Sequence, residues 1–178
     1  DDDSNILRID NSNASASLKM PIKSFTADLG VDAISFGGTK NGLLIGEAVV
    51  FFREELAKNF LYIRKQAGQL YSKTRFIAAQ FEAYLKDETN IKLASESNNM
   101  AKYLEQELKT VPQIKISRPV ETNVVFAFVP KDLCDKLLEL HYFYIWDEET
   151  YEVRWMCSFN TTKADIDIFI KDIKRLVE

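Results

Sequence analysis

Apolar positions along the chain follow two rhythms. A short apolar run at 6–9 lies among acidic and Asn/Ser-rich residues and predicts a frayed strand or broken segment. "VDAISF" (31–36) is a compact apolar run bounded by glycine, and "EAVVFF" (47–52) is a second one after the interruption "GGTKNG" (37–42). Both predict strands, the first of them buried. From Glu54 to about Lys86 the spacing turns helical, with Leu56, Phe60 and Ile63 on one face and Ile77, Phe81, Tyr84 and Leu85 further on. Two helices, or one broken near Gly68, fit this stretch.

The second half has a clearer rhythm. Met100, Leu104 and Leu108 mark a helix, "IKIS" and "NVVFAFV" mark strands, and Pro130 opens a helix carrying Leu133, Leu137, Leu138 and Leu140. "YFYIW" and "EVRWMCSF" follow as strands, the latter alternating Val153, Trp155, Cys157 and Phe159 against Arg154, Met156 and Ser158. A capping box from Thr162 to Asp165 starts the last helix, whose apolar stripe is Ile166, Phe169, Ile170, Ile173 and Val177. The order helix-strand-strand-helix-strand-strand-helix predicts a compact α+β unit over 95–178, with 1–94 as a separate body. The sequence contains no internal repeat.

Composition narrows the function classes. Hydrophobic residues make up 46% and aromatics 12% of the 178 residues, enough for a packed core. Net charge is −4 and the basic residues are scattered, which argues against a nucleic-acid surface or an anionic membrane. Cys134 and Cys157 stand far apart and His141 is the single histidine, too few ligands for a zinc site or a disulfide framework. Both cysteines read as small buried hydrophobes. No stretch resembles a signal peptide or is long enough to span a bilayer, so the expected compartment is the cytoplasm.

Lys40, inside "GGTKNG", raises the chemical question. A glycine-rich turn between strands with an exposed lysine at its tip is the plain reading. A phosphate-binding P-loop fails, because Asn41-Gly42 follows the lysine and a strand comes next, where Ser or Thr opening a helix is required. The third reading makes the lysine a covalent carrier: burial between apolar strands disfavours the charged amine, as an imine-forming lysine requires, and the glycines would let a flat cofactor approach. On that reading the amine belongs in a cleft.

"VDAISFGGTKNGLLIGEAVVFF", "IRKQAGQLYSKTRFIAAQFEAYL", "VETNVVFAFVP" and "VRWMCSFNTT", in that order, resemble the low-specificity threonine aldolases and related β-eliminating lyases. These belong to the aspartate-aminotransferase-like, fold type I superfamily of pyridoxal-phosphate enzymes. The resemblance runs from about Ser12 to the C-terminus. It implies an α/β fold: residues 1–94 as the C-terminal part of the large cofactor-binding domain, and 95–178 as the small C-terminal α+β domain. It implies pyridoxal 5'-phosphate as cofactor, Lys40 as the Schiff-base lysine, and cleavage of a threonine-like β-hydroxy amino acid to glycine and an aldehyde. It implies a small-molecule amino acid substrate and a homo-oligomer, dimer or tetramer.

Family subunits are about twice this length, and the half not matched here carries the phosphate loop and the residue that stacks on the cofactor ring. The chain by itself is therefore expected to do much worse than a full-length enzyme. The alternative is a catalytically inactive, truncated member that serves as an assembly or interaction module.

Individual residues follow from the same resemblance. "SNASASL" matches a small helix of the family, with Asn13 at its asparagine. Before it the family has His-x-Asp-Gly-Ala-Arg, whose aspartate pairs with the pyridine nitrogen. Here "RIDNS" offers Asp10, places Arg8 where the histidine belongs, and lacks Gly-Ala-Arg. Arg154 matches an arginine that takes part in binding the substrate carboxylate; a strand-surface arginine paired with an acidic neighbour is the competing reading. Ser35 and Thr39 flank the lysine and could donate hydroxyls to the phosphate, or merely satisfy turn backbone. Arg64, Lys65 and Arg75 lie in a stretch that approaches the cofactor or a neighbouring subunit in the family, although a solvated helix face also accounts for them. His141 reads as a helix-end residue.

Overall fold

The computed structural model describes residues Ile6–Arg8 and 11–177. The chain divides into two compact units, Asp1–Leu93 and Ala94–Glu178.

The described residues of the first unit contain a three-stranded sheet of order β1-β2-β3. Strand β1 (Ile6–Arg8) pairs parallel with β2 (Ala33–Gly37), and β2 pairs antiparallel with β3 (Glu47–Phe51), Ser35 standing opposite Val49. Ala33, Ile34 and Phe36 of β2 are buried, as the glycine-bounded apolar run predicts. Helix α1 (Asn11–Leu18) is the small-residue stretch "NSNASASL".

The region after β3 is more broken than its spacing suggests. It forms α2 (Glu54–Ala57), α3 (Phe60–Gln66) and α4 (Arg75–Leu85), with Gly68 at φ 69° ending the second of these. Only Tyr84 of the expected apolar face is fully buried; Ile63 and Leu85 are exposed. The small core of this unit is Ile34, Phe36, Leu43 and Tyr84, with Phe81 packed against it. Ile22, Ala48 and Leu93 also pack against it, and α3 meets the sheet through Phe60, whose ring centre lies 5.0 Å from that of Phe51.

The second unit matches its expected order. The long helix α5 (Thr89–Leu108) leads into β4 (Lys115–Ile116), β5 (Val124–Phe128), α6 (Lys131–Leu140), β6 (Tyr144–Asp147), β7 (Glu152–Met156) and α7 (Lys163–Val177). The four strands form an antiparallel sheet of order β4-β5-β7-β6. One face packs Val125, Ala127, Val153 and Trp155 against Leu104, Leu108, Leu133, Leu137, Ile166, Ile170 and Ile173. Period-two alternation on β7 holds for Val153, Trp155 and Cys157 and ends there, because Phe159 lies beyond the strand and is 37% exposed. The capping box forms: Thr162 N–H donates to Asp165 at 2.8 Å, and Asp165 N–H donates back to the Thr162 hydroxyl at 3.3 Å.

Candidate functional site

The β2–β3 connection is a folded turn. Asn41 N–H and Leu43 N–H both donate to Gly38 O at 3.0 Å, and Gly38 N–H donates to Gly46 O at 3.3 Å. Residues Thr39–Asn41 form a single 3-10 turn closed by Gly42 at φ 106°, a conformation that favours glycine. A Cβ on Gly38 would collide with Leu43 Cδ1 and Cγ, so the turn closes tightly because Gly38 has none. The Thr39 hydroxyl is used by the turn itself: it donates to Gly46 O and accepts from Gly46 N–H, both at 3.2 Å.

Asn41 anchors this turn to the helices. Its side chain is buried, and Nδ2 donates to Tyr84 Oη at 2.6 Å and to Asn90 O at 2.8 Å. Asn90 Nδ2 donates to Ser12 Oγ at 3.3 Å, and that hydroxyl lies 3.4 Å from Tyr84 Oη. One turn higher on α4, Gln80 Oε1 accepts from Leu44 N–H at 3.0 Å. Residues four apart share a helix face, so α4 presents Gln80 and Tyr84 together to the turn. A buried polar network of this kind is stabilising only when its members are satisfied.

Lys40 therefore sits between a buried anchor and solvent. It is exposed, and among the described residues it makes no hydrogen bond or ion pair. Cavities of about 460 and 490 Å³ are lined by residues between Leu104 and Arg175, and neither of these two includes Lys40. Asn41 is turned inward to α4 and α5, and the lysine before it on the same short turn is turned out.

The remaining expected residues fall as follows. Ser35 is half-buried on β2, four residues before Thr39 on the way into the turn. Asp10 lies outside the described residues. Arg64 is half-buried with its Nε lacking a hydrogen-bond partner, while Lys65 and Arg75 are exposed, the latter 5.0 Å from the Phe76 ring centre. His141 does end a helix: it caps α6, and Nε2 lies 2.9 Å from Asp172 Oδ2. Both cysteines are buried; burial pushes the Cys157 thiol up to about 11 and raises Cys134 as well. Among the described residues no group of three His, Cys, Asp or Glu could hold a metal ion, and no helix is long and apolar enough to cross a membrane.

Arg154, in the second unit, stands at the centre of the sheet face opposite the core. Phe126 of β5 and Tyr144 of β6 flank it across the ladder, and Nη2 points to Met156 Sδ at 3.4 Å. It has no ion pair among the described residues. Glu152, two residues earlier on the same face, is paired differently. Ser117 Oγ donates to Glu152 Oε1, and Arg118 Nη2 lies 2.7 Å from both carboxylate oxygens while its guanidinium stacks 4.1 Å from the Phe126 ring centre. The Ser117 and Arg118 hydrogen bonds hold the Glu152 carboxyl below the usual range.

Sequence reasoning missed both devices. Asn41 reads as turn chemistry and Tyr84 as core; the available signal was that a buried tyrosine needs a partner for its hydroxyl. Arg118 and Glu152 are separated by β5, α6 and β6 and carry no local motif.

The model of the beta-eliminating lyase family matches residues 10–132. The chain belongs to that family. It is 34% identical over 166 residues to a low-specificity L-threonine aldolase of a Pseudomonas species, covering 93% of this chain and 48% of that protein. It is 37% identical over 164 residues to the enzyme of the same name from Pseudomonas aeruginosa, covering 92% and 47%. The chain thus spans about half the length of the curated relatives it matches. Among solved structures it resembles Leishmania major threonine aldolase, at TM-score 0.84 and 26% identity, over 97% of this chain and 52% of that one. A glycine decarboxylase P-protein, at TM-score 0.62 and 15% identity over 96% and 48%, shares the fold. The family member described here is thus an α/β chain with a threonine aldolase as structural neighbour.

Proposed function

We propose that the protein carrying this chain is a pyridoxal-phosphate-dependent lyase that cleaves a threonine-like β-hydroxy amino acid to glycine and an aldehyde. The observation that carries the reading is the 34–37% identity to two low-specificity L-threonine aldolases over nearly the whole of this chain. In this reading Asp1–Leu93 is part of the cofactor domain and Ala94–Glu178 is the small C-terminal domain. The compartment is the cytoplasm, and the working form is a homo-oligomer.

The residues present suit the group at its point of attachment. Condensation with an aldehyde needs an amine that the aldehyde can reach, and Lys40 is exposed, with no ion pair among the described residues. Bound there, pyridoxal phosphate would supply the electron sink for the pair left at Cα when the Cα–Cβ bond breaks.

The chain's own contributions are positional. Asn41, held by Tyr84 and Asn90, fixes the turn so that Lys40 projects from one place, and orientation of this kind is a large part of catalysis. Ser35 and Thr39 are the candidate phosphate contacts; the Thr39 hydroxyl hydrogen is given to Gly46 O within the turn, so Thr39 would donate to a phosphate only by releasing that bond. Asp10 is the candidate partner of the pyridine nitrogen. Arg154, free of a carboxylate partner, would hold the substrate carboxylate through its paired N–H donors.

The test is release of glycine and aldehyde from threonine by the whole protein supplied with pyridoxal phosphate. Turnover that requires the cofactor and disappears in Lys40→Ala is the expected result. Absence of turnover, or turnover indifferent to Lys40→Ala, overturns the reading.

A further inference from the structure

Glu152 lies two residues before Arg154 on β7, Asp147 lies across from Glu152 on β6, and neither carboxylate bonds Arg154. Glu152 and Asp147 are partners across the β6–β7 ladder. Asp147 Oδ1 accepts from the N–H groups of Glu149 at 2.9 Å and Thr150 at 3.3 Å, so its charge is spent within its own turn. Glu152 is 6% exposed and takes Ser117 and Arg118 as donors.

Geometry alone would favour a different pairing. Side chains two apart on a strand point to the same face, with Cα atoms about 7 Å apart. That span is within the reach of an arginine. A buried carboxylate without a counter-ion is costly, so a Glu152 deprived of Arg118 would turn to another cation within reach on its face, and Arg154, two residues along the same strand, is one.

We propose that Arg118 is a positioning residue: with Ser117 it occupies Glu152, and thereby keeps the Arg154 guanidinium available to a carboxylate ligand. Phe126 completes the arrangement. Arg118 stacks over the Phe126 ring, which itself belongs to the residue paired with Arg154 across the ladder, so the ring helps to fix where Arg118 lies. Stacking of this kind suits arginine far better than lysine. The role of Arg154 toward a substrate carboxylate rests on the proposed function; the occupation of Glu152 by Arg118 does not.

The experiment separates these two layers. The first arm follows the Glu152 carboxyl by carbon-detected NMR titration and needs neither cofactor nor substrate. In the wild-type chain, Arg154→Met leaves the Glu152 titration nearly unchanged. In Arg118→Met, Glu152 titrates at higher pH, and adding Arg154→Met moves it higher still, because Arg154 has become its partner. Arg118→Lys, which keeps a cation beside Glu152, stays nearer to wild type and guards against a folding defect in the methionine variant. A Glu152 titration that responds equally to Arg154→Met with and without Arg118 overturns the proposal.

The second arm uses the cofactor-loaded whole protein and threonine. Arg118→Met raises KM about tenfold or more, the scale of a charged hydrogen-bonded contact, with a smaller change in kcat. Arg118→Met/Glu152→Gln restores KM, since the amide no longer competes for Arg154. A merely structural Arg118 predicts no such rescue, and a KM raised by Arg118→Met that the folded double variant fails to restore also overturns the proposal. If the first arm shows the re-pairing while KM stays unchanged in every variant, the positioning of Arg154 stands and the substrate-carboxylate role assigned to it fails.

Discussion

The side-chain amide of Asn41 donates a 2.6 Å hydrogen bond to the phenol oxygen of Tyr84, 43 residues further along the chain. This bond ties the turn that presents Lys40 to the best-buried residue of α4. Both groups are shielded from water, so each is costly to leave alone. Asn41→Ala should destabilise the first unit by roughly 1–3 kcal/mol, and Tyr84→Phe by about 1 kcal/mol. Amide hydrogen exchange at Lys40 to Leu44 should speed up in both variants. Unchanged protection there would mean that the turn is held by its backbone bonds and Gln80 alone.

The Glu152 carboxyl makes the second unit acid-sensitive in a defined direction. Its carboxyl is held below the ordinary value by Ser117 first and Arg118 next. A depressed folded-state value contributes stability above the unfolded value and loses it as pH falls through the folded one. Stability of the second unit should therefore decline as the medium is acidified below about 4.5, the ordinary glutamate value. Glu152→Gln should lower stability at neutral pH and flatten this part of the curve. Urea denaturation from pH 3 to 7 on both proteins checks it, and parallel curves would count against the claim.

Cys134 and Cys157 should be inert in the folded chain. With the Cys157 thiol near 11, only about one molecule in a thousand carries its thiolate at pH 8, and burial blocks access as well. Ellman's reagent should titrate neither cysteine in native protein and both after denaturation. Rapid native labelling of either would show that its side of the core opens.

Much of this was legible in the sequence, and the parts that were not have a common cause. Strands β2, β5 and β7 and helices α6 and α7 were readable because their apolar periodicity is answered by a core made from the same chain. Residues 54–86 read as two helices or one broken helix and form three, with Leu61, Tyr62, Ile63, Tyr71 and Phe76 more than half exposed. Periodicity reports that a face wants burial; it cannot say what covers it. The lysine turn was visible as glycine spacing, but its anchor lies in Tyr84 and Asn90, and the pairing of Arg118 with Glu152 spans 34 residues. Contacts between residues far apart in the chain leave no local signature.

Those uncovered apolar side chains lead to an expectation about assembly. Leu44 is 88% exposed, Tyr62 72% and Leu61 69%, the last two adjacent on α3. The chain should self-associate or bind a complementary part of the family fold, and sedimentation over a hundredfold concentration range should show it. Leu61→Glu with Tyr62→Glu should shift the equilibrium toward monomer. A chain monomeric throughout that range contradicts the expectation.

The central claim is that Lys40 carries the cofactor. The most direct measurement adds pyridoxal phosphate to the whole protein, reduces with borohydride and maps the modified peptide by mass spectrometry. The account predicts one dominant adduct, on the peptide containing Lys40, that is lost in Lys40→Ala together with glycine formation from threonine. Adducts spread evenly over the lysines, with threonine cleavage unaffected by Lys40→Ala, would contradict it.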